Sequence, residues 1–179
     1  MPAMILWING AFGAGKTTTA GLVTKRLDGA KVFDPEYVGY MLMPFVESPT
    51  GDFQDLPLWR HLVVQTMTGF AQQHPHLWIV PMSLINAAYR TEIFDGIRAA
   101  GVDLRELILR VSEQQLRNRI DEDQVDTKAR RWRQDHVTQA LTTFASLTDA
   151  HFVDASQPPE QVAATVASHV LASTKSSPP

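Results

Sequence analysis

Gly10-Ala11-Phe12-Gly13-Ala14-Gly15-Lys16-Thr17 is the stretch on which the fold turns. It satisfies G-x-x-x-x-G-K-[ST] in full, and each part has a physical reason. Glycines let successive backbone N–H groups point inward around an anion. A helix beginning near Lys16 brings its positive dipole end to the same point. The Lys16 ammonium is suited to β- and γ-phosphates, and the Thr17 hydroxyl to Mg²⁺. Such a pattern also arises by chance, so its surroundings decide. Residues 4–8, just before it, form a short apolar run of the kind buried on both faces of a parallel sheet. After it, Ala20, Val23 and Leu27 recur at helical spacing and Gly29 marks the stop. Strand, glycine loop and helix form the context that the motif requires. Gly10, Ala11, Phe12, Gly13, Ala14, Gly15, Lys16, Thr17 and Thr18 are therefore expected to hold ATP with Mg²⁺, with Thr17 on the metal.

Outward from this loop, short apolar runs alternate with helical spacing. Strands are predicted at 31–33, 77–80, 104–111 and 151–153. Helices are predicted from Pro35, over 58–72, 89–100 and 112–120, then one to about 147 and a last over 159–172. In the helix after Pro35, Tyr37, Met41 and Phe45 fall on one face and read as core. Alternation of this kind predicts a parallel sheet with right-handed crossovers. The fold class is thus α/β, a P-loop kinase-like three-layer fold with a five-stranded parallel sheet and a mobile lid at about 119–133. One domain is expected over 1–172, followed by a disordered Ser/Pro-rich tail at 173–179.

Composition narrows the function classes. A net charge of −3 gives no polyanion-binding surface, so no nucleic-acid partner is expected. The chain has no cysteine, which excludes disulfides, thiolate metal sites and cysteine nucleophiles. No apolar run reaches membrane-spanning length, and neither stable membrane insertion nor a signal peptide is expected. The default location is the cytoplasm. Oligomeric state is left open.

The phosphate loop alone does not name a reaction. The Asn-Lys-x-Asp motif of GTPases is absent, and the apolar run at 77–80 leads to Pro81-Met82-Ser83 rather than to an Asp. Both absences favour a small kinase. Asp34 stands at the carboxyl end of the second strand, the edge that faces the site in open parallel sheets. There it can accept a proton from a substrate hydroxyl; it can also simply cap the helix that follows. Arg117, Arg119, Lys128, Arg130, Arg131 and Arg133 flank an acidic stretch. They read either as a lid that closes over the transferring phosphoryl group, or as a solvated face paired with Asp121, Glu122, Asp123 and Asp126. Arg119 and Arg130 bracket the stretch and are the chosen catalytic pair, with Lys16 and Asp34. Residues 52–60 set Phe53, Gln54, Trp59 and Arg60 beside a turn, a mixture that suits a pocket for a ring with polar edges. Trp59 and Phe53 suit a core equally well.

Four segments in order resemble the tunicamycin-resistance proteins: Trp7-Ile8-Asn9 with the phosphate loop, Phe33-Asp34-Pro35-Glu36, residues 52–60, and Ile79-Val80-Pro81-Met82. The similarity runs to about Val170. It implies an ATP-binding protein that protects against tunicamycin, a lipidated, uridine-containing nucleoside antibiotic. It also implies the fold of nucleoside, shikimate and chloramphenicol kinases. In chloramphenicol phosphotransferases an Asp after the second strand is the base, and Asp34 holds the matching place. Some members of the family continue into a basic amphipathic tail. Here Ser/Pro-rich residues stand instead, so no membrane association is carried over. On this resemblance the acceptor is tunicamycin or a related uridine nucleotide-sugar, bound among Asp34, Phe45, Phe53, Gln54, Trp59, Arg60 and Met82. Asp154 and Ser156, in the loop after the fifth strand, lie near the nucleotide base. Phosphorylation of the drug and its ATP-dependent sequestration both remain open.

Overall fold

β1 (Met4–Gly10) is buried along its whole length, which is why its sequence is almost unbroken in apolar character. The computed structural model describes residues 3–124, 127, 129–148 and 150–174. Val125, Asp126 and Lys128 of the expected lid, and residues 175–179 of the expected tail, lie outside the described residues. β2 (Lys31–Val32), β3 (Leu77–Pro81), β4 (Asp103–Arg110) and β5 (His151–Asp154) join β1 in one parallel sheet. The strand order is β2-β3-β1-β4-β5. β1 is therefore central, and the chain leaves it toward one edge first and the other edge later. That reversal is the switch point outside whose carboxyl ends ligands bind.

The helices are α1 (Lys16–Thr24), α2 (Glu36–Leu42), α3 (Pro57–Gln73), α4 (Ala87–Ala99), α5 (Glu113–Glu122), α6 (Arg130–Asp135), α7 (Val137–Ala145) and α8 (Pro159–Thr174). Alternation along β1 divides them into two layers. Met4, Leu6 and Ile8 face a core that takes Ala20 and Val23 of α1, Leu116 of α5 and Val166 of α8. Ile5 and Trp7 face the other, with Leu42 of α2, Trp59 and Met67 of α3, and Phe94 of α4. Burial on both faces of the sheet supplies the main driving force. Among the described residues no helix is long and apolar enough to cross a membrane.

Two expectations are corrected. Tyr37, Met41 and Phe45 were expected inside, but they are 70%, 55% and 85% exposed, and α2 buries Val38, Gly39 and Leu42 instead. The cause is a close approach. α2 seats its glycine on the Phe53 ring, where a Cβ at Gly39 would lie 2.6 Å from the ring. Trp59 Nε1 fixes the helix entry by donating to Pro35 O at 3.2 Å. The helix expected to run to about 147 is broken at His136, whose N–H is shared between Trp132 O and Arg133 O. The break lets Trp132 meet Phe12 while Val137, Ala140 and Phe144 stay in the core.

Candidate active site

The carboxyl end of β1 opens into the glycine loop, and the loop floors a cleft of about 1000 Å³. Gly10, Gly13 and Gly15 have φ of 144°, 79° and 91°, values that side chains rarely tolerate. At Gly10 a Cβ would also lie 2.9 Å from Leu109 O. At Gly15 it would meet nothing within 4 Å, so there the backbone faces open space. Phe12, Gly13, Ala14, Gly15, Lys16, Thr17 and Thr18 line the cleft. Gly10 and Ala11 lie beneath it. Their carbonyls accept from Lys16 Nζ at 3.1 and 2.9 Å. Burial pulls the Lys16 pKa down to about 8, against the attraction of Glu36 and Asp34.

A buried polar frame holds the loop. Asn9 Oδ1 accepts from Gly10 N at 2.9 Å and from Leu84 N at 3.0 Å. Asn9 Nδ2 donates to Glu106 at 2.9 Å, and Arg90 grips the same carboxylate. Ser83 Oγ donates to Gly10 O at 2.8 Å. Every member is paired, as buried polar groups require.

Asp34 lines the cleft beyond the end of β2. Its Oδ1 accepts from Glu36 N at 2.9 Å, so the capping role is real. Desolvation raises its pKa, helped by the nearby Glu36 carboxylate and opposed by that hydrogen bond and by Lys16. On the same side Phe53, Gln54 and Met82 line the cleft. Gln54 Nε2 donates to Ser83 O at 2.9 Å and lies 3.5 Å from Met82 Sδ.

Arg119 lines the opposite wall, where Nη1 reaches Gly13 O at 3.4 Å and Nη2 reaches Ala155 O at 3.0 Å. It therefore joins the phosphate loop to the loop after β5. Arg130 does not line the cleft, because its guanidinium is held by Asp123 O at 2.7 Å. Arg133, one turn later on α6, lines it instead and pairs with Asp123 at 2.7 Å. Trp132 closes the same wall, edge-on to Phe12 at 5.0 Å.

Three expected acceptor residues are elsewhere. Trp59 is wholly buried against Phe53. Arg60 is buried on Glu92 at 2.6 Å and on Gln54 O at 2.6 Å, so its charge is neutralised away from the cleft. Phe45 stands in solvent. Asp154 and Ser156 build the turn after β5, with Asp154 Oδ1 accepting from Ser156 N and Oγ at 2.9 and 2.6 Å. Ala155 and Gln157 present that turn to the cleft. Of the residues that line the cleft, Ser83 and Trp132 were not singled out from the sequence. Ser83 was within reach, because it follows β3 at the strand end where sites form.

No protein-family model matches the chain, and no curated protein does. Solved structures do. The tunicamycin resistance protein of Deinococcus radiodurans is 28% identical, over 94% of this chain and 95% of that chain, with a TM-score of 0.71. The chain resembles a tunicamycin resistance protein. The APS kinase of Mycobacterium tuberculosis, solved with AMPPNP and APS, superposes with a TM-score of 0.68 at 19% identity, over 95% and 98% of the two chains. A sugar kinase from Janibacter sp. HTCC2649 gives 0.66 at 19% identity, over 94% and 95%. These two share the fold, a P-loop kinase-like five-stranded parallel sheet, with this chain and with the tunicamycin resistance protein it resembles.

Proposed function

We propose that this chain is a phosphotransferase that moves the γ-phosphate of ATP to an alcohol hydroxyl, with tunicamycin or a related nucleoside as acceptor. The observation that carries the reading is the meeting of Lys16 and Asp34 in one cleft, close enough for each to shift the other's pKa. The residues fit ATP with Mg²⁺. The positive-φ glycines, open space at Gly15 and a half-buried ammonium form a cradle suited to a polyphosphate. Gly13, Ala14, Gly15, Lys16, Thr17 and Thr18 would hold it, with Thr17 on the metal. When bound, ATP·Mg²⁺ supplies the phosphoryl group and neutralises part of its charge.

The chain's own groups have separate tasks. Asp34 takes the proton of the attacking hydroxyl, and its raised pKa strengthens it as a base. Lys16 holds the donor phosphates at the head of α1. Arg119 and Arg133 line the cleft and are the cations that would stabilise negative charge developing during transfer. Trp132 and Phe12 screen that region from water. The acceptor lies against Phe53, Gln54 and Met82.

Incubating the protein with ATP, Mg²⁺ and tunicamycin, then weighing the drug by mass spectrometry, tests the reading. A gain of one phosphate is expected. Tight binding of a drug of unchanged mass would mean ATP-dependent sequestration instead, and the kinase reading would fall.

A further inference from the structure

The acceptor side of the cleft does not end at Asp52. It continues past Gln54 and Ser83 into a side chamber of about 220 Å³, to which Asp55, Tyr89, His136 and Gln139 add their walls. At about 30 Å³ per water, this is room for one sugar-sized ring. The walls are braced. Asp55 Oδ1 accepts from Tyr89 Oη at 3.0 Å, and its other oxygen accepts from Thr50. Asp52 Oδ1 accepts from Gln54 N at 2.9 Å. Trp132 and the His136 ring meet at a tilt, 4.2 Å apart, along one side.

The main cleft is lined by both signs, with Lys16, Arg119 and Arg133 among Asp34, Glu36, Glu122 and Asp123. In the chamber's own lining the acidic groups are Asp52 and Asp55, whereas Asp34 and Glu36 lie nearer Lys16. The nearby arginines are no counterweight, since Arg60 is paired with Glu92 and Arg90 with Glu106. His136 is the basic side chain among the described residues of the chamber. Carboxylates and the Gln139 amide accept from vicinal hydroxyls, and carboxylates also accept from an ammonium. A phosphate in the same place meets like charge in a half-buried setting, which costs at least about 100-fold in affinity.

We propose that this chamber is a second acceptor subsite, that it takes an uncharged or cationic polyhydroxylated ring, and that its acidic approach excludes acceptors bearing phosphate. The proposal rests on the acceptor side assigned above and narrows it, because it removes nucleotide-sugars from the candidate acceptors.

The test is calorimetric titration of the intact protein with AMPPNP and Mg²⁺ at pH 7.5, using tunicamycin, uridine and a UDP-sugar. Tunicamycin should bind at least about 100-fold more tightly than the UDP-sugar. Gln139→Trp, an exposed position on α7, fills the chamber. It should weaken tunicamycin at least about 10-fold and leave AMPPNP affinity unchanged. Asp55→Asn keeps the wall's shape and should improve UDP-sugar binding. The proposal is overturned if the UDP-sugar binds as well as tunicamycin. It is equally overturned if neither tunicamycin nor uridine binds, or if Gln139→Trp changes nothing. Binding is read without transfer. Loss of the phosphorylation reading therefore leaves the ranking standing, and a reversed ranking leaves phosphorylation standing.

Discussion

Replacing Lys16 by methionine should change how stability depends on pH. The ammonium is desolvated under the glycine loop, which pulls its pKa from the usual 10.5 to about 8. In the unfolded chain it keeps its proton up to the usual value. Between those values the unfolded state binds more protons than the folded one, so stability rises with pH across that window. One pH unit inside the window is worth about 1.4 kcal/mol. With partial titration at the lower end, the gain from pH 7 to pH 9.5 is about 2 kcal/mol. Other lysines and the tyrosines titrate nearby, but parent and variant share them and they cancel. The two hydrogen bonds lost with Lys16 shift the variant by an amount that cancels between the two pH values. Urea unfolding of parent and Lys16→Met at both pH values reads the effect directly. The parent-minus-variant stability should rise by about 2 kcal/mol from the lower pH to the higher. A rise below about 0.5 kcal/mol would mean that the folded protein solvates this ammonium, and the reasoning would be refuted.

Asp34→Asn keeps an oxygen for Glu36 N, so its melting temperature should stay within about 2 °C of the parent's, while transfer falls at least about 100-fold in the mass assay. Arg133→Ala should slow transfer at least about 100-fold, whereas Arg130→Ala, on a guanidinium held by Asp123 O, should stay within about 5-fold; steady-state kinetics of the pair decides. Trp59→Ala empties a fully buried site and should cost about 3–5 kcal/mol in urea unfolding, which a pocket tryptophan would not.

The donor half of the site was legible because it is local. One run of eight residues carries the turn, the dipole and the ammonium, and the flanking patterns give strand and helix. The acceptor half is assembled by tertiary contacts. Phe53, Gln54, Trp59 and Arg60 are neighbours in sequence, yet Pro57 begins α3 and turns the latter two inward. Spacing also misjudged α2. Its larger side chains face outward because the helix approaches Phe53 through Gly39, and the apolar pattern does not encode that approach. Arg119 and Arg130 were chosen because they bracket the charged stretch, a criterion blind to direction, and it is Arg133 rather than Arg130 that lines the cleft.

Those two halves are measured from one peptide. Gly10 O accepts from Lys16 Nζ, at the phosphate-loop end of the cleft, and from Ser83 Oγ, and the Ser83 carbonyl accepts from Gln54 on the cleft wall. Asn9 pins the same junction from below by accepting from Gly10 N and Leu84 N. Its amide is oriented by Glu106, whose side chain is only 6% exposed and which Arg90 neutralises. A carboxylate buried to that degree requires its cation. On the phosphotransferase proposed above, the distance between donor phosphate and acceptor hydroxyl would be set by this hydrogen-bonded frame at the ends of β1 and β3. Misplacement by 1 Å can cost a transfer reaction about 100-fold. A fully paired, buried polar network rigidifies the strand ends it joins, and this gives a physical reason for placing Asn9, rather than another apolar residue, near the end of an otherwise hydrophobic strand.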